Sequence, residues 1–336
     1  MYSPDLELTV PEAHSSLYHY TTGEGLEGIL SSNQLWATNI AYLNDQEEHV
    51  GYFDRRLGEI VAEAIDSLKT SPTKSDYFLN WLANDANNGK DSRTLADQFA
   101  NLVKTATLKH NEPYVVSFSA SPPDNKANDG MLSQWRAYGS DGGYAIVFDT
   151  KKLEEALKLE AARYQYLAFG WGDVEYYSAV TRYVPRYPET RKRESKVTDT
   201  IQRFLLAPTD PSHFEEIYEA ITALSITHKH NGFEEEAEIR IFAALPQEGI
   251  RAAFSEANSK PIRPIYVRSG GGSGVPYLKL FEADGEVQPV ELPIQKFVIG
   301  PHREKEKRAL TVRHLLNRYK RDAEVVISGI PFVNNR

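Results

Sequence analysis

Cysteine is absent from all 336 positions. Disulfides, thiolate metal sites and a cysteine nucleophile are thereby excluded, and such a chain fits a reducing compartment. There is no run of about 18 or more apolar residues, the length a membrane-spanning helix requires. Residues 1–11 are acidic and have neither the basic start nor the apolar stretch of a signal peptide, so the expected location is cytoplasmic, with no membrane partner. Two nucleotide and hydrolase signatures are also missing. The glycine-rich stretch at 269–274 is not followed by Gly-Lys-Ser/Thr, and no Gly-Xaa-Ser-Xaa-Gly elbow occurs. A net charge of −9 gives no general attraction for nucleic acid, although a local basic patch could still hold a phosphate-bearing ligand.

What is present is an ordinary globular balance, 41% hydrophobic and 25% charged. Residues 17–21, 35–38, 114–119, 144–148, 236–244, 296–299 and 323–328 read as strands from their β-branched and aromatic content. Residues 23–32 have helical spacing through Leu26, Ile29 and Leu30, and a basic helix is expected over 303–320. Asn44, Asp45, Glu47 and Glu48 look like a helix cap opening a long amphipathic helix to about Leu68, with two polar helices filling 74–110. The charge run at 189–196 is expected to be a solvated loop or helix face. Short connections between interleaved strands and helices favour a mixed α+β fold over a doubly wound sheet. The expected organisation is an arm at 1–16 and one domain at 17–333, with helical elaborations at about 45–110 and 150–230.

Several residues could carry chemistry. His19 shares a strand face with Thr21, so the pair could hold a ribose diol, or His19 could be a buried histidine bonded to backbone. Glu236 and Glu238 would share a face if both lie in a strand, close enough to push one pKa upward, or Glu238 could simply pair with Arg240. Ser117 and Ser119 present two hydroxyls on one face as supporting groups. Trp135, Arg136 and Tyr138 offer rings for stacking and a guanidinium for a pyrophosphate, with core packing of Trp135 as the alternative. His228 and His230 lack a third ligand at a diagnostic spacing, so no metal is expected there.

Taken together, Leu17-Tyr-His-Tyr-Thr-Thr22, Leu43-Asn-Asp45 with Glu48, Ser117-Phe-Ser119, Trp135 to Tyr138 and Glu236-Xaa-Glu238-Xaa-Arg240 resemble a bacterial family catalogued as a domain of unknown function. The opening strand is more distantly similar to the ADP-ribosyltransferase superfamily. That resemblance implies a split mixed sheet with helical insertions and NAD as substrate. It makes His19 the holder of the adenosine-side ribose, with Thr21 also binding NAD, Glu238 the carboxylate at the nicotinamide ribose, and Glu236 and Ser117 its assistants. Tyr20, Tyr42 and Tyr138 stand as candidates for ring stacking. An enzyme of the toxin or antiphage-effector kind follows, transferring ADP-ribose to water or to a macromolecular acceptor, nucleic acid or protein. Rival readings are a non-enzymatic nucleotide-sensing or partner-binding protein and a metal-dependent nuclease or phosphodiesterase built on Asn44, Asp45, Glu48 and the histidine cluster.

Overall fold

The computed structural model of the chain describes residues 9–43, 50–72, 75–84, 87–122, 128–138, 143–178, 183–207, 212–248, 251, 260–269, 274–283 and 290–331. The strands are β1 (Ser16–Thr21), β2 (Leu35–Asn39), β3 (Asn111–Ala120), β4 (Tyr144–Asp149), β5 (Ala168–Asp173), β6 (Glu175–Tyr177), β7 (His228–His230), β8 (Glu238–Pro246), β9 (Tyr266–Arg268), β10 (Val275–Leu280), β11 (Ile294–Ile299) and β12 (Glu324–Ile327). The helices are α1 (Val10–Ala13), α2 (Gly23–Ser32), α3 (Gly58–Thr70), α4 (Asp76–Ala83), α5 (Ser92–His110), α6 (Leu132–Tyr138), α7 (Thr150–Arg163), α8 (Pro188–Leu206), α9 (Ser212–Ile226) and α10 (Lys305–Tyr319).

Ten of these strands form one sheet, in which β11 and β12 run parallel and the other pairs antiparallel. The fold is therefore mixed α+β. Its hub is β3: β8 occupies one edge along residues 111–119, so β1 and β2 must share the other. β2 meets β3 at Tyr114 and Val115, β1 meets it at Ser119 and Ala120, and a gap is left between them.

Pleat alternation then assigns the faces. The first carries Leu17, Phe118, Ile146, Phe148, Ile239 and Ile241, packed under α2, α7 and α10. These helices close on it because Leu26, Ile29 and Leu30 of α2 and Ala309, Val312 and Leu316 of α10 recur at helical spacing. On the second face, Tyr18, Tyr20, Ala145 and Val147 receive Trp135 from α6, and Val115 and Phe242 receive Ala223 and Ile226 from α9.

A separate helical core joins Ile60, Val61, Ala64 and Ile65 of α3 to Leu95 and Ala96 of α5 and to Val197, Ile201 and Ile221 of α8 and α9. The two expected elaborations thus pack as one helical layer, while α7 belongs to the main core instead. The charge run at 189–196 is the start of α8, and not all of it is solvated. Glu194 is buried and accepts both Nε (3.0 Å) and Nη2 (2.8 Å) of Arg56, tying that helix to the residues before α3. The described part of the N-terminal arm is docked, since Val10 joins the main core and His14 lies 2.7 Å from Asp173 in a buried pair. Residues 44–49, with the expected cap and the acidic cluster, lie outside the described residues, as do 270–273 of the glycine-rich stretch.

A two-stranded parallel ribbon, β6 with β7, bridges the helical layer and the sheet. Its register sets Glu175 beside His228 and Tyr176 beside Lys229, so neighbouring residues point to opposite sides. Among the described residues no helix is long and apolar enough to cross a membrane.

Candidate functional site

The expected acid pair is real, but a strand does not make it. Glu236 ends a 3-10 turn (Asn231–Glu236), and Ala237 turns the chain with φ 43 before β8 begins at Glu238. A left-handed alanine costs about 1–2 kcal/mol. That turn lets both carboxylates reach one cation: Lys229 Nζ lies 2.8 Å from Glu236 Oε2 and 3.2 Å from Glu238 Oε2.

Glu238 is the more firmly held. Arg240, two residues on and on the same strand face, donates Nε to Oε1 (2.7 Å) and Nη2 to Oε2 (3.0 Å), while its Nη1 reaches the Ile226 carbonyl (2.8 Å). The Tyr176 hydroxyl accepts the Glu238 amide at 2.8 Å. Burial alone would raise the Glu238 carboxyl. Arg240, Lys229 and the Ser117 hydroxyl outweigh it and hold the group at about 2, a fixed anion. Glu236 is less enclosed; burial raises its pKa, and Lys229 only partly offsets this. Two acids and two bases thus form a buried cluster of balanced charge.

His19 does not join them. Ser119 pairs with both Tyr18 and Glu238, and Ser117 pairs with Arg240, so the serines and Glu238 lie on the second face. His19 lies on the first face, its ring 5.6 Å from that of Phe118. Its Nδ1 donates to the Ser117 carbonyl (2.9 Å), filling the gap that β1 and β2 leave along β3. Burial lowers its pKa, partly countered by that bond. Thr21 follows it on the same side, opposite Tyr144.

The expected ring-stacking residues also divide. Trp135 is 2% exposed and donates Nε1 to the Asp129 carbonyl (2.8 Å), so its ring is core and has no face for a ligand. Tyr20 is buried edge-on against it at 4.8 Å, its hydroxyl accepting the Met131 amide. Tyr42 and Tyr138 are exposed.

A cavity of about 1140 Å³ opens where β3 ends and β8 begins. Its wall includes Ala120, Ser121, Arg136, Tyr176, Arg186 and Ala237. Arg136 is the expected ligand residue that reaches it. Ser119, Glu236 and Glu238 are each one residue from its lining.

Sequence reasoning missed Lys229 and Tyr176. Lys229 was overlooked between two histidines that invited a metal reading. Yet His228 is buried and bonded to the Leu224 carbonyl and the Tyr183 hydroxyl, and the His230 ring accepts the Gly232 amide. Among the described residues no group of three His, Asp or Glu is placed to hold a metal ion.

Over residues 134–241 the chain matches the model of a family described as protein of unknown function (DUF2971). That span runs from α6 to β8 and takes in Lys229, Glu236, Glu238 and Arg240, leaving β1 and His19 outside. No curated protein and no solved structure matches the chain.

Proposed function

We propose that the cavity binds a nucleotide of the NAD class and that the chain is an NAD-consuming, ADP-ribosyltransferase-like enzyme whose reacting carboxylate is Glu236. The observation that carries this reading is a cavity of about 1140 Å³ beside two carboxylates that share one lysine. Small-molecule sites commonly measure roughly 300–1,000 Å³, so an extended dinucleotide is the right scale of ligand. Arg136 supplies positive charge for a pyrophosphate, Arg186 being paired with Glu234 in the same wall, and Tyr176 and Tyr187 supply rings.

Glu238, the carboxylate first indicated by resemblance, is neutralised by Arg240 and has little field left for a ligand. It acts as a positioning residue that fixes Lys229. Glu236 is ionised less readily and stands in the chain between the lining residues Glu235 and Ala237, and a carboxylate of raised pKa can both face developing charge and take a proton. The bond from nicotinamide nitrogen to ribose C1′ breaks, and its electron pair returns to the pyridinium ring. The positive charge left at C1′ is stabilised by a carboxylate near the 2′-hydroxyl. Water, or a nucleophile on nucleic acid or protein, bonds to C1′ and gives its proton to Glu236. His19 and Thr21 take no part.

The test is incubation of the protein with NAD, alone, with cell extract and with nucleic acid, followed by chromatography for nicotinamide. Release that Glu236→Gln abolishes is the expected result; no release under any condition overturns the proposal. A second reading, nucleotide binding without turnover, is favoured by the full occupancy of Glu238 and the separation of His19. Calorimetry with NAD showing binding without release would establish it.

A further inference from the structure

Glu175 is fully buried in β6, directly behind the cavity wall. Its Oε1 accepts the backbone amides of Arg186 (2.8 Å) and Tyr187 (2.9 Å), two residues that line the cavity. Its Oε2 makes no hydrogen bond of good geometry, although the Thr190 hydroxyl faces the carboxyl. Among the described residues no cationic side chain is paired with Glu175 as Arg240 is with Glu238.

We infer that Glu175 is a positioning residue that fastens Arg186 and Tyr187 in the cavity wall, and that loss of its proton loosens that wall. That the wall matters to a ligand rests on the nucleotide reading above. The groups facing Glu175 are Tyr183, Arg186 and Tyr187 from the segment before α8, Thr190 of α8, and His228 beside it on β7. The Glu194–Arg56 pair and Tyr52 lie beyond Tyr183. His228 is uncharged near neutrality, and Arg186, whose charge favours the ionised carboxyl, is itself paired with Glu234.

Burial pushes the carboxyl up to about 7, with the two amides opposing. A conformation that releases Glu175 to water returns it towards 4.5. Between those values the fastened wall holds a proton that the released one does not. Raising the pH through them therefore increases the released fraction by up to roughly two orders of magnitude.

Amide hydrogen exchange at pH 6 and pH 8, corrected for intrinsic base catalysis, reads this directly. The control is the Phe281 amide, which bonds another buried carboxylate, Glu160. Protection at Arg186 and Tyr187 should fall at pH 8 while Phe281 holds steady, and Glu175→Gln should abolish the difference. Should Glu175→Gln fail to fold, Thr190→Val keeps the carboxyl, removes a group that lowers its pKa, and should move the midpoint upward. Protection at Arg186 and Tyr187 that is equal at both pH values overturns the inference. NAD titrations at the same two pH values separate the claims. Weaker binding at pH 8 that Glu175→Gln removes supports both, whereas the exchange step with no NAD binding at either pH removes the nucleotide reading and leaves the fastening intact.

Discussion

Replacing Glu238 by glutamine isolates what its buried charge contributes to the fold. The carboxyl is held at about 2 in the folded chain against an ordinary 4.5. That difference in proton affinity is a factor of about 300, or ~3 kcal/mol. Because the folded value is the lower one, the stabilisation is fully present above pH 4.5 and is lost as pH falls through 2. Glu238→Gln should therefore cost ~3 kcal/mol at pH 7 and only ~1 kcal/mol at pH 3, where the wild-type anion has lost most of its advantage. Arg240→Met should cost about 3–5 kcal/mol at pH 7, since it leaves a buried anion with Lys229 as its cationic partner. Urea unfolding followed by tryptophan fluorescence at pH 7, 5 and 3 measures both. A Glu238→Gln chain within 1 kcal/mol of wild type at pH 7, or a deficit that does not shrink toward pH 3, would refute the assignment of Glu238 as a pre-paired anion.

His228 should titrate near 4 by NMR, because burial disfavours its charged form and Arg56 and Arg193 add to this. Its folded value lies below the ordinary 6.5, so stability falls as pH drops from 6.5 through about 4; a midpoint above 6 would contradict the packing around Tyr52 and Tyr183. His19→Ala should leave NAD binding unchanged while costing about 1–3 kcal/mol, through the unpaired Ser117 carbonyl. A loss of affinity with unchanged melting temperature would return His19 to the site. Trp135→Ala should cost about 3–5 kcal/mol through the cavity it leaves against Tyr20. A variant with wild-type melting temperature would mean that the ring is not core.

Much of the sheet was legible because its strands carry their own signal. The aromatic and β-branched runs at 17–21, 35–38 and 144–148 are strands, and the basic stretch at 305–319 is a helix. The β6–β7 ribbon was not legible. Each strand is three residues long, and tertiary packing, not pattern, pairs them in parallel. Alternation correctly set His19 beside Thr21 and opposite Tyr18. Whether Ser117 shares that side depends on the register of β1 against β3, which no single segment encodes. The acid pair was legible as letters and not as geometry, because nothing in Glu-Ala-Glu marks the alanine as left-handed. Lys229 was hidden for a similar reason: its role exists only once the ribbon brings it over both carboxylates.

The fork in the sheet at β3 makes that strand the junction through which its three arms are joined. One arm runs through β1 to β12, another through β2 to β9, the third through β8 to β5. The partners of β3 come from sequence positions near 18, 38 and 240, so the junction is completed by contacts of very different sequence separation. Assembly of such a junction is governed by loop closure more than by local preference, which makes for slow folding. A proline placed in the forked stretch would distort the one strand that all three arms share, whereas the same change on β9 would trim an outer edge.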